Sequence, residues 1–198
     1  MSKERLTAFS DGVIAILITI MVLELKVPQR ADPAALVPLI PVFLSYVLSF
    51  VFLAIYWNNH HHLLQAIDRV DGRVLWSNSH LLFWLSLIPF GTAWMGENHF
   101  ATWPVALYGV VLLGAGAAYF VLARGLVALH GEGSALAAAL GRDAKGRISL
   151  AVYALAIPLA FYDGRLACAL YVLVAVMWLV PDTRIERRLA GDGPGREA

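Results

Sequence analysis

The run from Arg5 to Pro28, RLTAFSDGVIAILITIMVLELKVP, restricts the fold more than any other stretch of the chain. From Ile14 to Leu25 it is apolar apart from Thr19 and Glu24, yet it opens on an arginine, a serine and an aspartate. A helix begun at Gly12 would span only ~24 Å, short of the ~30 Å hydrocarbon core of a bilayer. A start near Leu6 supplies the length and carries Ser10 and Asp11 about a turn and a half into the helix. A carboxylate at that depth is costly unless it is paired or faces protein or water. The segment therefore reads as a pathway-lining helix, with the other helices as its support.

The rest of the chain agrees with a membrane setting. Sixty per cent of the residues are hydrophobic, only 15% are charged and the mean hydropathy is +0.69, more apolar surface than a soluble domain of 198 residues needs. The apolar runs are continuous and do not alternate, which excludes a β-barrel. The expectation is an all-α polytopic membrane protein, with residues 1–189 as one six-helix domain and 190–198 as a disordered tail. The six helices are expected at about 6–27, 36–64, 75–95, 103–129, 148–162 and 166–181. Pro38 and Pro41 fall near the start of the second, where missing amide donors cost least, and Pro89 should kink the third. Thr102 is expected to cap the fourth, with Pro104 in its first turn. Gly109, Gly114 and Gly116 of that helix suit close packing. The polar stretch after His130 contains a short helix at 136–140, and the RIERR run after Pro181 reads as a basic amphipathic exit.

Six spans put both termini on one side. With that side cytoplasmic, Lys3, Arg5, Arg69, Arg73, Arg124, Arg142, Lys145, Arg147, Arg184, Arg187, Arg188 and Arg196 fall inside, and only Lys26, Arg30 and Arg165 fall outside. The split of 12 to 3 supports both the count and the orientation. The first segment holds Asp11 and lacks a small-residue cleavage site, so it is not a signal peptide. The single cysteine, Cys168, excludes an internal disulfide.

Within the first helix, Ile16, Thr19, Ile20 and Leu23 follow helical spacing on one stripe, and Gly12 extends it by a turn. Copies of the helix around an axis would stack rings of isoleucine, threonine and leucine. Apolar rings gate by dewetting, and threonine hydroxyls offer oxygens to a partly dehydrated cation. From spacing alone the same stripe also reads as ordinary packing surface. Ser10 and Asp11 have two readings as well: a helix cap at the membrane surface, or a buried group paired with polar residues of other helices. His60, His61, His62, Asn78 and His80 lie at comparable depth, and Arg5 reaches the carboxylate only through a bend or from another subunit. Adjacent histidines on a helix point about 100° apart, so the His60–His62 run makes no tridentate site and no metal is expected. Glu24 lies off the stripe and is expected in a salt bridge with Lys26 or Arg30. Trp57, Trp76, Trp94, Trp103 and Trp178 suit an aromatic belt. HExxH, GxSxG and Walker signatures are absent, so no enzyme is expected.

Arg5-x-x-x-Phe9-Ser10-Asp11, followed by the apolar run to Val22-Leu23-Glu24-Leu25, closely resembles the R-x-x-x-F-S-D first-helix motif of the transmembrane protein 175 potassium channels. WNNHHHLL and NSHLLFWLSLIPF look like that family's second and third helices, whereas the last three segments resemble it only vaguely. The resemblance implies a homotetramer of six-helix subunits in which the first helix lines the pore and no TVGYG filter is used. It makes Ile16 the hydrophobic constriction, Thr19 the threonine layer and Leu23 the next apolar layer, with Ile20 on the same stripe. Arg5, Phe9, Ser10 and Asp11 become the motif that holds this helix through polar contacts, with His61, Asn78 and His80 as candidate partners. His80 stands where an apolar residue is expected. The function implied is passive potassium flux through a weakly selective cation channel in a cell membrane. Its partners would be further copies of the chain, lipids and potassium ions; no cofactor and no nucleic acid are expected. The rival class is a proton-coupled secondary transporter using Asp11 and the membrane histidines as a relay, and a third reading is a structural subunit without transport.

Overall fold

The computed structural model describes residues 2–131, 133–140 and 143–179, and among these every regular element is a helix. The tail expected at 190–198, the RIERR exit, residues 180–181 of the sixth segment and the cations Arg142, Arg184, Arg187, Arg188 and Arg196 lie outside the described residues. Helix α1 runs Lys3–Leu23, and a 3-10 turn at Pro33–Leu39 leads into α2, Ile40–Gln65. Then come α3 (Gly72–Ser86), α4 (Ile88–Glu97), α5 (Thr102–His130), the short α6 (Ala135–Leu140), α7 (Ala144–Ala160) and α8 (Gly164–Leu179). Among the described residues, three stretches are long and apolar enough to cross a membrane: Lys3–Leu23, Pro33–Gln65 and Thr102–His130. Gly164–Leu179 is a shorter apolar helix.

Several boundaries differ from those expected, each for a local reason. Helix α1 starts earlier because the Ser2 hydroxyl accepts from the Arg5 amide. It ends at Leu23 rather than 27, since Pro28 biases the residue before it toward extended backbone. Pro38 and Pro41 lack the amide donors of regular α-helix, so the second segment opens in 3-10 geometry and becomes α only at Ile40. The third segment is two helices. Pro89 cannot donate to the Leu85 carbonyl, and the chain breaks between α3 and α4 at Leu87. Thr102 is not the cap of α5: extended Ala101 precedes the helix without a side-chain bond, and Thr102 is its first helical residue. Helix α7 starts at Ala144 because the Asp143 carboxylate accepts from the Gly146 amide at 3.1 Å.

The core is built around α5, which packs against α3, α4, α7 and α8, while α1 rests on α2, α3 and α4. The α5 glycines set these approaches. A Cβ on Gly109 would meet the Tyr171 hydroxyl of α8, one on Gly114 would fall within the Trp84 indole of α3, and one on Gly116 would stand 3.1 Å from Leu150 of α7. Gly125 has open space around it. Gly114→Ala should therefore destabilise the subunit by about 1–3 kcal/mol, the usual cost of overpacking. Gly125→Ala should be neutral or stabilising by up to about 1 kcal/mol through helix propensity. Thermal unfolding of the two variants in one detergent checks this; equal midpoints would remove the α3–α5 contact as the cause.

At the far end of α1, Lys26 pairs with Glu97 at the end of α4 at 3.0 Å, and Arg30 pairs with Asp32 at 2.8 Å. The salt bridge expected for Glu24 is therefore not formed, because both cations are engaged elsewhere; Glu24 is instead the C-cap residue of α1. The bond from Glu97 holds the Lys26 ammonium above its ordinary pKa.

Candidate functional site

Helix α1 has two faces. Leu6, Ser10, Ile14, Leu17 and Met21 are buried against the rest of the subunit, in the i, i+4, i+8, i+11 and i+15 positions of one helical stripe. Gly12, Ile16, Thr19, Ile20 and Leu23 lie on the opposite side and are exposed, with Ile16 at 57% and Leu23 at 79%. The Thr19 hydroxyl donates to the Ile16 carbonyl at 2.9 Å, so its one proton is directed into its own helix and its oxygen lone pairs remain available.

The buried stripe is fastened by a polar chain. Asn78 of α3 donates its Nδ2 to Ser10 Oγ at 2.9 Å, and Ser10 Oγ donates to the Leu6 carbonyl at 2.9 Å. His60 Nε2 of α2 is 2.7 Å from Asn78 Oδ1. An amide oxygen only accepts, so Nε2 carries the proton and the direction of every bond is set. Ser10 and His60 are wholly buried and Asn78 almost so. His60 Nδ1 is the buried side-chain atom left without a partner among the described residues. Asp11, half-buried beside this chain, accepts from Trp57 Nε1 at 3.0 Å.

The residues named from the sequence divide accordingly. Ser10, Asp11 and Asn78 come together. Arg5 and Phe9 face outward, and the Arg5 guanidinium makes no bond to a described residue. Two partner assignments are corrected. His61 bonds Gln65 at 2.8 Å and stacks on Trp57 instead of joining Ser10 or Asn78. His80 accepts from Trp84 of its own helix at 3.0 Å. The reason is rotation: one residue along a helix turns a side chain by about 100°. The buried stripe of α2 runs through Ser45, Ser49, Phe52, Tyr56 and His60, which leaves His61 off it. That periodicity is a signal for His60 over His61. Trp57, read from the sequence as an interfacial anchor, is the residue that the motif analysis missed; its spacing of three from His60 puts it near the same α1-facing side. Among the described residues no group of three or more histidine, cysteine or acidic side chains is placed to hold a metal ion.

Comparison with known proteins follows the same segment. The profile of the family described as "Endosomal/lysosomal potassium channel TMEM175" matches residues 5–89. A potassium channel of Chryseobacterium sp. (strain P1-3) is 51% identical over 189 residues, covering 96% of this chain and 98% of that one. The crystal structure of a lysosomal potassium-selective channel TMEM175 homolog from Chamaesiphon minutus superposes with a TM-score of 0.79 at 27% identity, over 90% of this chain and 96% of that one. The endosomal/lysosomal proton channel TMEM175 of Danio rerio is 27% identical over 135 residues, which span 66% of this chain and a quarter (25%) of that longer protein. Its motif helix, its helical architecture and its near-full-length likeness to the bacterial protein make this chain a member of the TMEM175 potassium channel family, a family of ion channels and not of enzymes.

Proposed function

We propose that the chain is the subunit of a homotetrameric, potassium-permeable cation channel of a cell membrane, with α1 lining the pore and both termini cytoplasmic. The carrying observation is the division of α1: one side is tied to α3 by the buried Asn78–Ser10 bond and to α2 by the more exposed Trp57–Asp11 bond, and the other exposes Gly12, Ile16, Thr19, Ile20 and Leu23. In a ring of four such helices Ile16 forms the narrowest, dewetting-prone layer and Thr19 presents hydroxyl oxygens to the ion. Potassium sheds its hydration more readily than sodium, so the order of preference follows without a TVGYG carbonyl filter. Arg5 and Phe9, open on the subunit surface, are in this reading contacts between neighbouring subunits. The 12 to 3 distribution of Lys and Arg supports the orientation. No cofactor is needed.

The test is flux from liposomes that hold the purified protein and potassium, read with a dye that reports compensating proton entry. The expected result is fast potassium efflux that falls sharply when sodium replaces potassium. Absence of flux from correctly oriented, monodisperse protein would overturn the proposal. The rival carrier draws on Asp11 and on His60 Nδ1, which is buried and without a partner among the described residues. It predicts slow, saturating proton-coupled turnover where the channel predicts unitary current steps. Asp11 is architectural in this scheme, so Asp11→Asn should lower the tetramer fraction in detergent before it alters selectivity. A variant that stays tetrameric while only its permeability ratio moves would reverse that assignment.

A further inference from the structure

A second buried polar cluster stands behind α1, about three turns from the first. Ser10 and Met21 are eleven residues apart, roughly 16 Å along the axis and within about 20° of one another around it. At the Met21 level, Thr92 Oγ1 of α4 is 3.8 Å from Met21 Sδ, 2.5 Å from Ser49 Oγ of α2 and 2.7 Å from the Ile88 carbonyl. Ser49 Oγ is in turn 2.8 Å from the Tyr108 hydroxyl of α5. Met21, Ser49, Thr92 and Tyr108 are all buried. Met21 of α1 and Ser49 of α2 therefore meet α4 at one threonine hydroxyl, and α5 joins through Ser49. A hydroxyl in hydrocarbon that lost these partners would be left without water to replace them, which makes the cluster directional and hard to rearrange.

Helix α4 follows the Leu87 break, and its glycines press it onto its neighbours. A Cβ on Gly91 would stand 3.2 Å from the Tyr108 ring, and one on Gly96 would stand 2.7 Å from the Val42 backbone of α2. Ile16 and Thr19 lie between the two fastened levels, on the opposite side of α1.

From these positions we infer that Thr92, with Ser49 and Tyr108, is a positioning cluster that fixes the α1 segment beyond Ile16 and so sets ion preference at the Thr19–Leu23 layers, without itself touching the ion. The inference rests on the pore role proposed for α1. The Ser10–Asn78–His60 chain holds one end of the helix, and the Thr92 cluster holds the other. A rigid α4 docked by its glycines transmits the position of α2 and α5 to the back of the pore helix.

The test compares Thr92→Val, which keeps the shape and loses the hydroxyl, with Thr92→Ser, which keeps the hydroxyl. Two readouts are taken on full-length protein in lipid: the potassium-to-sodium permeability ratio, and the methyl NMR signal of Met21, one of four methionines. Thr92→Val and Ser49→Ala should each shift the Met21 signal and lower the ratio by about threefold or more, the scale on which remote buried substitutions alter a site. Thr92→Ser should leave both near wild type, and the double variant should do no more than either single one. A wild-type ratio and an unmoved Met21 signal in Thr92→Val would overturn the cluster while leaving the channel intact. Equal losses in Thr92→Ser and Thr92→Val would also overturn it. Absence of potassium flux in the wild type would instead sink the pore reading and the cluster's role with it.

Discussion

An Ile16→Asn variant is expected to pass sodium almost as well as potassium, with the permeability ratio falling by about tenfold, equivalent to roughly 1.4 kcal/mol between the two barriers. Ile16 is 57% exposed on a face of α1 that no described element of its own subunit covers. A ring of branched apolar side chains resists filling with water, so an ion crosses it only after losing part of its hydration shell, and the ion that loses it more easily is favoured. Asparagine has similar reach but carries an amide that keeps water in the ring. Sodium then passes hydrated, and the preference disappears while total conductance rises. Thr19→Val is the companion variant. It removes the oxygen whose proton is already directed to the Ile16 carbonyl, and it should lower potassium conductance and, by less than Ile16→Asn, the potassium-to-sodium ratio. Bilayer recordings with the two cations on opposite sides separate the cases. If Ile16→Asn keeps wild-type conductance and ratio, the constriction lies at another layer, with Ile20 or Leu23 the next to test.

Much of α1 is legible in its sequence because one helix decides it. The period of 3.6 separates Ser10, Ile14, Leu17 and Met21 from Ile16, Thr19, Ile20 and Leu23, and the structure shows those two sets as a buried and an open face. The apolar runs mark where the chain is helical, but the run expected as one helix at 75–95 is divided at Leu87. What the sequence leaves undecided depends on more than one helix. His60, His61 and His62 are consecutive; the stripe of α2 favours His60, but its pairing with Asn78 follows from how α2 docks on α3. Lys26 finds Glu97 across 71 residues instead of nearby Glu24, since the ends of α1 and α4 are brought together by packing. Trp57 looks interfacial by type and proves to be the donor to Asp11. The prolines are visible in the sequence, but whether each bends, breaks or merely opens a helix is settled by neighbours: Pro89 begins α4, whereas Pro158 sits inside α7.

Asn78→Leu should be the most damaging single change at the motif. Asn78 is the only residue joined to both α1 and α2 in the polar chain, through Ser10 at 2.9 Å and His60 at 2.7 Å. Leucine keeps the branched outline but is bulkier, so overpacking of about 1–3 kcal/mol adds to the loss of the bonds, and the cycle with Ser10→Ala separates the two. It leaves the His60 Nε2–H without an acceptor, in a ring whose Nδ1 already lacks a partner among the described residues, and it strips Ser10 Oγ of its donor. Hydrogen bonds between membrane helices contribute ~0.6–2 kcal/mol each. Together with the cost of stranding buried polar groups, the loss comes to about 2–5 kcal/mol. For a chain of this size that lowers the unfolding midpoint by roughly 5–15 °C. Ser10→Ala removes one bond and keeps the other, so it should cost less, and Ser10→Ala in the Asn78→Leu background should cost almost nothing further. Leucine at 78 with an unchanged midpoint, or losses that add in full, would mean that the two bonds are incidental to apolar packing of α1. The expected shortfall from additivity would instead show that the polar chain acts as one unit fixing the rotation of the helix on which Ile16 and Thr19 are carried.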